Sequence, residues 1–313
     1  MEMEREIRGF LMSRRARIAP EKAGLPTAPG RRRVAGLRRE EVAMLAGVSV
    51  EYYTRLERGR IGGASQSVLD SIARVLHMSD DERDHLYDLA RNVTATRQPE
   101  KAARPPVIGA AVQQVLDSMS VPAIVQNERL DVLAANRLGR ALYNDLWESQ
   151  STHPPNFARF AFLDPRAEKF YVDVSRSRGF IVAALRTAAG RNPLDSELTE
   201  LIGTLSACSR DFASRWAEHD VRRHSRGRKR INHPVVGPLD LEFNDFVLPD
   251  DPEMAIVTYT AEIGSASADG LAILDAWAAT NEEGRSAVAH RGARTAQDDA
   301  HNQRGNMQEE QEK

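Results

Sequence analysis

Apolar residues recur at three- and four-residue spacing in five segments of the first 90 residues, namely 4–17, 38–46, 50–58, 66–77 and 81–91. This spacing places apolar side chains on one face of a helix, and no strand-like alternation interrupts it. A long connection over residues 18–36 contains prolines and glycines that cannot continue a helix. Its arginines, Arg31, Arg32 and Arg33, are either phosphate contacts or solvated. The pattern predicts an all-α N-terminal domain of five helices over residues 1–92.

The pattern changes after residues 93–106, a segment rich in Thr, Ala, Pro and charge that reads as a linker. Beyond it we predict helices over 107–118, from near 135, over 166–218 and over 267–279, and strands over 122–126, 130–134, 228–232, 238–248 and 255–263. This order predicts an α+β C-terminal domain over residues 107–279, with one antiparallel sheet and helices on one face. Residues 280–313 are polar and are expected to be a disordered tail.

Composition narrows the class of protein. The chain has 313 residues, of which 41% are hydrophobic and 28% charged, and no apolar run approaches the length of a membrane-spanning helix. The N-terminus lacks the pattern of a secretory signal, so a cytoplasmic location without membrane contact is expected. The single cysteine, Cys208, excludes an intrachain disulfide and a multi-cysteine zinc site, and is expected to be buried.

Charge is unevenly distributed along the chain. Residues 1–60 contain 14 Arg and Lys against eight Asp and Glu, although the whole chain has a net charge of only −2. A local positive excess of this kind favours a polyanionic partner such as nucleic acid, while a solvated basic surface remains the alternative.

The segment 37–60, LRREEVAMLAGVSVEYYTRLERGR, reads as two short helices joined by a tight turn. Gly47 permits a left-handed turn, and Ser49 is placed to cap the second helix without forming a capping box. The expected buried positions are Val42, Leu45 and Ala46 in the first helix, Val48 between the helices, and Tyr53 and Leu56 in the second.

This segment resembles the phage-repressor, or XRE, family of helix-turn-helix proteins, with matching residues Glu41, Ala43, Gly47, Leu56, Glu57 and Gly59. The resemblance implies that the second helix enters the major groove of DNA. Carried over by position, the implied base contacts are Val50, Glu51 and Arg55, and the implied phosphate contacts are Arg38, Arg39, Ser49 and Tyr52. The side-chain chemistry suits base contacts, because Arg can bind guanine bidentately, Glu can accept a hydrogen bond from the cytosine amino group, and Val can cover a thymine methyl. A protein-interaction module with solvated arginines is the alternative.

Segments such as LDVLAANRLGRAL and RINHPVVGPLDLEF resemble the ligand-binding region of MmyB-like regulators. That resemblance implies a PAS-like domain with a buried pocket for a fatty acid or similar small hydrophobic ligand. The candidate pocket residues are Asn136, Phe157, Phe160, Phe162, Phe170, Phe180 and Tyr259. Ala135 and Val174 stand where the family often has tryptophan, which implies a larger or differently shaped pocket. The alternative for these aromatic residues is a packed core.

The basic run near Trp216, His219 and Asp220 permits a cationic site for a ligand carboxylate, with Arg222 or His224 at the pocket mouth. A solvated surface or a structural salt bridge is the alternative. We predict no metal site, cofactor or catalytic residue, because no HExxH spacing, glycine-rich phosphate loop or GxSxG elbow occurs.

Together these patterns predict a sequence-specific DNA-binding transcription regulator. We expect a homodimer that binds an inverted-repeat operator in double-stranded DNA, because one helix-turn-helix reads only a few base pairs. Two alternatives remain: a constitutive dimeric regulator without a ligand, and an enzyme tethered to DNA.

Overall fold

The computed structural model of the chain describes residues 2–26, 36–94, 108–150, 154–221 and 226–281. The five predicted N-terminal helices are present as α1 (Glu2–Arg17), α2 (Arg39–Ala46), α3 (Val50–Glu57), α4 (Gln66–Val75) and α5 (Asp80–Thr94), with a 3-10 turn at Pro20–Ala23. Helix α5 continues two residues into the segment predicted as a linker. The three arginines of the long connection, the rest of the linker, Arg222, His224 and residues 282–313 lie outside the described residues.

The C-terminal part is an α+β region, as predicted. Its strands are β1 (Ala123–Asn127), β2 (Val132–Ala135), β3 (Arg226–His233), β4 (Gly237–Leu248) and β5 (Asp251–Thr260). Its helices are α6 (Ala110–Ser118), α7 (Arg137–Leu142), α8 (Asn144–Ser149), α9 (Phe157–Leu163), α10 (Ala167–Phe170), α11 (Val174–Arg191), α12 (Ser196–Cys208) and α13 (Arg210–Ala217). A final helix, α14, occupies residues 266–281.

The five strands form one antiparallel sheet in the order β2-β1-β5-β4-β3. One face packs against α7–α14 and buries the larger core, which includes Ile124, Val257 and Ile231. The prediction that helices cover only one face of the sheet is wrong, because α6 packs on the other face. Side chains alternate between the two faces along β1, so Val125 lies on the face opposite Ile124, where Leu116 of α6 covers it. Helices therefore lie on both faces of the sheet.

Two positions differ from the sequence expectation. Leu45 was predicted to be buried but is 38% exposed, whereas Val42 is buried as predicted and Ala43 is buried beside it. Cys208 was also predicted to be buried, yet it is exposed at the last residue of α12. Within the described ranges, no helix has the length and apolar character needed to cross a membrane.

Candidate DNA-binding and ligand-binding sites

The turn between α2 and α3 has the predicted local chemistry. Gly47 adopts a left-handed conformation with φ of 69°, and its N–H closes the end of α2. The Ser49 hydroxyl accepts a hydrogen bond from the Tyr52 N–H at 3.0 Å, which caps α3. At the start of α2, the Arg38 N–H donates to a Glu41 carboxylate oxygen at 2.6 Å. These contacts fix the angle at which α3 leaves the turn.

Glu57, at the end of α3, is a buried carboxylate that joins three helices. It accepts hydrogen bonds from Arg15 of α1, with Arg15 Nε at 2.6 Å, and from Arg39 of α2. A buried charge is stable only when it is paired in this way. Gly59 has a φ of 95° and packs directly against Glu4 of α1. A Cβ added to Gly59 would lie only 2.5 Å from the Glu4 Cα. Helix α1 therefore holds the end of α3, the proposed recognition helix, in place.

The residues predicted to contact bases lie on the outer surface of α3. Val50, Glu51 and Arg55 are exposed, and the Arg55 guanidinium lies over the Tyr52 ring at 4.9 Å. Of the predicted phosphate contacts, Arg38 and Ser49 are exposed, and the Arg39 side chain keeps 41% exposure despite its bond to Glu57.

A groove of about 850 Å³ lies between α1 and α3. Five arginines and three acidic residues are among its lining residues: Glu4, Arg8, Arg39, Val50, Glu51, Thr54, Arg55, Glu57, Arg58 and Arg60. Arg8, Arg58 and Arg60 were not predicted as site residues. The positive excess of the first 60 residues was the available signal, but it does not indicate which arginines face the same side.

The aromatic residues predicted to line a pocket form a contiguous cluster in the C-terminal core. Phe157, Phe160, Phe162, Phe170 and Tyr259 are each at most 9% exposed. Their rings meet one another or a neighbouring ring edge to face, as Phe160 and Phe170 do at 5.6 Å between centroids. Phe180 stands apart, half-buried beneath Arg176.

Asn136 has a defined structural task at the junction of β2 and α7. Its side-chain oxygen accepts from the N–H groups of Ala123 and Gly139 at 3.0 and 2.7 Å. Its amide donates to the carbonyls of Met119 and Val121 at 3.2 and 2.8 Å. All of its hydrogen-bonding capacity is therefore used by the backbone.

Lys229 places an ammonium group inside this aromatic cluster, which the sequence analysis did not predict. Lys229 Nζ donates to the Tyr143 hydroxyl at 3.0 Å and lies 5.1–5.6 Å from the ring centroids of Tyr143, Phe157 and Tyr259. Burial lowers the pKa of Lys229 to about 8, against the opposing charge of Asp245. A pattern signal existed: Ile231 is the one apolar residue of the strand predicted over 228–232, and Lys229 precedes it by two, which places both side chains on one face.

The N-terminal helices and the C-terminal region meet at a polar contact, called here the domain interface, in which α1 and α5 face α11 and residues 216–221. Arg186 of α11 is fully buried, pairs with Glu6 of α1, and donates to the Trp216 carbonyl. Its guanidinium stacks on the Trp216 ring at 4.0 Å. Although burial alone raises the pKa of Glu6, the hydrogen bond to His219 and the charge of Arg186 lower it to about 2.

A second ion-pair group continues the domain interface along α1. Arg14 is 2% exposed; its side chain lies 3.2 Å from Glu82 of α5 and donates to the His219 carbonyl. Arg17 pairs with Asp220 at 2.6 Å. Val221 is buried within the N-terminal core. Asp220 therefore forms a structural salt bridge, one of the alternatives given for the cluster near Trp216, and residues 219–221 dock onto the helical domain.

The remaining interface contact is between α5 and the end of α11. His85 is buried against Phe10, with ring centroids 5.0 Å apart, and an added Cβ on Gly190 would overlap the His85 ring. Burial lowers the pKa of His85 to about 4, so the imidazole is neutral. The Asn92 amide donates to the Gly190 carbonyl at 2.6 Å. Close helix packing here requires a glycine.

Comparison with known families identifies both parts of the chain. Residues 108–274, just over half of the chain, match the model of the MmyB-like transcription regulator ligand binding domain. The chain belongs to this family. In this MmyB-like regulator, residues 29–86 also match a helix-turn-helix domain model, and a search among curated proteins found no match. The family assignments and the exposed recognition helix make it a DNA-binding transcription regulator with a domain for a small-molecule ligand. Among the residues that the structure describes, no group of three or more His, Cys, Asp or Glu is arranged to hold a metal ion.

Proposed function

We propose that this MmyB-like regulator binds an operator through α3, and that a small hydrophobic ligand in the C-terminal domain changes its affinity for DNA through the domain interface. The observation that supports this proposal is the position of α11. One side of α11 buries Val182, Leu185 and Ala188 in the aromatic core. An adjacent stripe of α11 carries Arg186 and Gly190 against the helical domain.

A continuous set of contacts runs from the aromatic core to the recognition helix. Phe162 meets Phe212 edge to face at 5.1 Å, and Phe212 stacks on Trp216 at 5.7 Å. Trp216 stacks under Arg186, which pairs with Glu6 of α1. Helix α1 in turn holds Glu57 at the end of α3. A ligand that displaces the aromatic rings would shift α1 only if the two ligand states favour different interface arrangements.

For the DNA contacts, we propose Val50, Glu51 and Arg55 as base contacts. Arg38, Arg39, Ser49 and Tyr52 are the proposed phosphate contacts. The protein would act as a homodimer on an inverted repeat, with the half-sites one helical turn apart. Exposure of the three base-reading side chains supports this assignment.

A constitutive regulator without a ligand is a second candidate, and one observation favours it. The aromatic side chains of the proposed pocket contact one another, as a packed core does. The two candidates differ in whether protein from its host carries a stoichiometric hydrophobic adduct.

The DNA half of the proposal is tested by selecting bound fragments from a random double-stranded library and measuring affinities across salt concentrations. Arg55→Ala is expected to lose about 10-fold or more on the selected site and to relax specificity at one base pair. Arg38→Ala is expected to weaken binding to every sequence and to reduce the salt slope by about one. Arg83→Ala, at an exposed position of α5, is the matched control.

Selection that yields no sequence bound more tightly than random DNA would contradict the DNA half of the proposal. The ligand half is tested separately by native mass spectrometry of protein purified from its host, with analysis of the released molecule. A stoichiometric amphiphile is expected. Ligand-free protein under several growth conditions would favour the constitutive candidate.

A further inference from the structure

Two opposite charges lie on the inner face of the sheet without forming a direct ion pair. Lys229 of β3 is paired in register with Leu241, and Asp245 lies four residues further along the same face of β4. Among the described residues, the Lys229 nitrogen is not within 4.0 Å of an Asp245 carboxylate oxygen, the upper limit for a salt bridge. The Asp245 Oδ1 atom is buried and has no hydrogen-bond partner within that part of the chain.

Both groups have hydrogen-bonding capacity that the described residues leave unused. The Lys229 ammonium carries three N–H donors, of which one is used by the Tyr143 hydroxyl. Burial raises the pKa of Asp245 to about 6, against the opposing charge of Lys229. Because buried charges without partners are costly, a core that keeps two of them at separate positions is suited to a polar group that meets both.

The two charges restrict the chemistry of such a group. A carboxylate head would pair with Lys229 but would be repelled by Asp245, and an amine head would meet the reverse problem. A hydroxyl group can accept from the ammonium and donate to the carboxylate at the same time. The apolar remainder of the molecule would then lie among Phe157, Tyr143 and Tyr259, the rings that surround Lys229.

We propose that Lys229 and Asp245 bind the polar head of the ligand, and that this head is the hydroxyl group of an uncharged amphiphile. The inference rests on the proposed ligand-sensing function and specifies the chemical class of the ligand.

The test uses the full-length protein and three series of probes: primary alcohols, carboxylates and alkylamines of matched chain lengths from octyl to tetradecyl. Affinities are measured by titration calorimetry. The wild-type protein is expected to bind alcohols about 10-fold more tightly than the other two series, since hydrogen bonds to buried charges give factors of this size.

Substitutions should switch this preference in a reciprocal way. Asp245→Asn removes the negative charge with little change in shape, so the preference should move towards carboxylates. Lys229→Met removes the positive charge and should move it towards amines. The controls are Arg228→Met and Asp240→Asn. Each breaks the ion pair between Arg228 Nε and Asp240 Oδ1, 2.6 Å apart on the opposite face of the same strands, and should leave the preference unchanged.

Each outcome has a defined meaning, provided that circular dichroism shows folded variants; if Lys229→Met does not fold, the near-isosteric Asp245→Asn decides. Tighter wild-type binding of carboxylates or amines overturns the hydroxyl assignment, as does a preference that the charge-removing substitutions leave unchanged. If no probe binds while host-purified protein carries another adduct, this inference fails and the sensing function stands. If no probe binds and no adduct exists, both fail.

Discussion

Arg186→Met is expected to destabilise the protein because it leaves the Glu6 carboxylate without its main partner. Arg186 is fully buried, whereas the Glu6 side chain keeps 22% exposure and a 3.4 Å contact with His219. Breaking a buried ion pair from one side costs about 3–5 kcal/mol. Because Glu6 retains some solvent and one partner, we expect a loss of about 3 kcal/mol in the free energy of unfolding.

The double variant Glu6→Gln/Arg186→Met distinguishes an ion pair from simple loss of packing. Once both charges are gone, no uncompensated charge remains, so the double variant should be little worse than Arg186→Met. Glu6→Gln alone should cost about 2 kcal/mol, because it leaves the buried Arg186 without its carboxylate. The two single losses then exceed the loss of the double variant by a coupling energy of about 2 kcal/mol, measured by urea unfolding. If the two losses add to within about 0.5 kcal/mol, the pair does not act as a unit and the reasoning is refuted.

Three further predictions concern pH, packing and the DNA surface. The folded pKa of His85 is about 4, against 6.5 for the free side chain. The unfolded state therefore binds a proton first as the pH falls through this window, and the group should cost about 2 kcal/mol between pH 7.5 and 5; His85→Leu should remove that slope in urea titrations. Gly190→Ala should lower stability by about 2 kcal/mol or more through overlap with His85, while Gly203→Ala on α12, with no atom within 4 Å of the added methyl, should be neutral or stabilising in thermal unfolding. Arg39→Ala should lower both stability and DNA affinity because Arg39 also pairs with Glu57, whereas Arg38→Ala should lower affinity alone; equal stability losses would contradict this division.

The parts of the fold that local sequence determines were predictable. The five N-terminal helices, the Gly47 turn and the Ser49 cap follow from periodicity and turn chemistry over a few residues. The strands of the C-terminal sheet were also located, because each alternates or is flanked by turn residues. The family resemblances supplied the roles that such patterns cannot provide.

The domain interface could not be predicted, for a physical reason. Arg186 and Glu6 are separated by 180 residues, and nothing local distinguishes a buried arginine from a solvated one on a helix. The cluster around His219 and Asp220 was therefore left open between a ligand site, a solvated surface and a structural salt bridge. Lys229 was missed because the basic residues around it suggested a solvated surface, although alternation with the apolar Ile231 places it on the inner face.

The most direct test of the account compares operator affinity with and without bound ligand, in the wild-type protein and in Arg186→Met. The measurement is fluorescence anisotropy on the selected operator, after the host-derived ligand has been removed and then restored. The account predicts that the ligand changes wild-type affinity by at least about fivefold, the lower range of an allosteric coupling, and that Arg186→Met binds both partners but loses most of the change. Equal operator affinity with and without ligand in the wild-type protein, or an undiminished change in the variant, would contradict it.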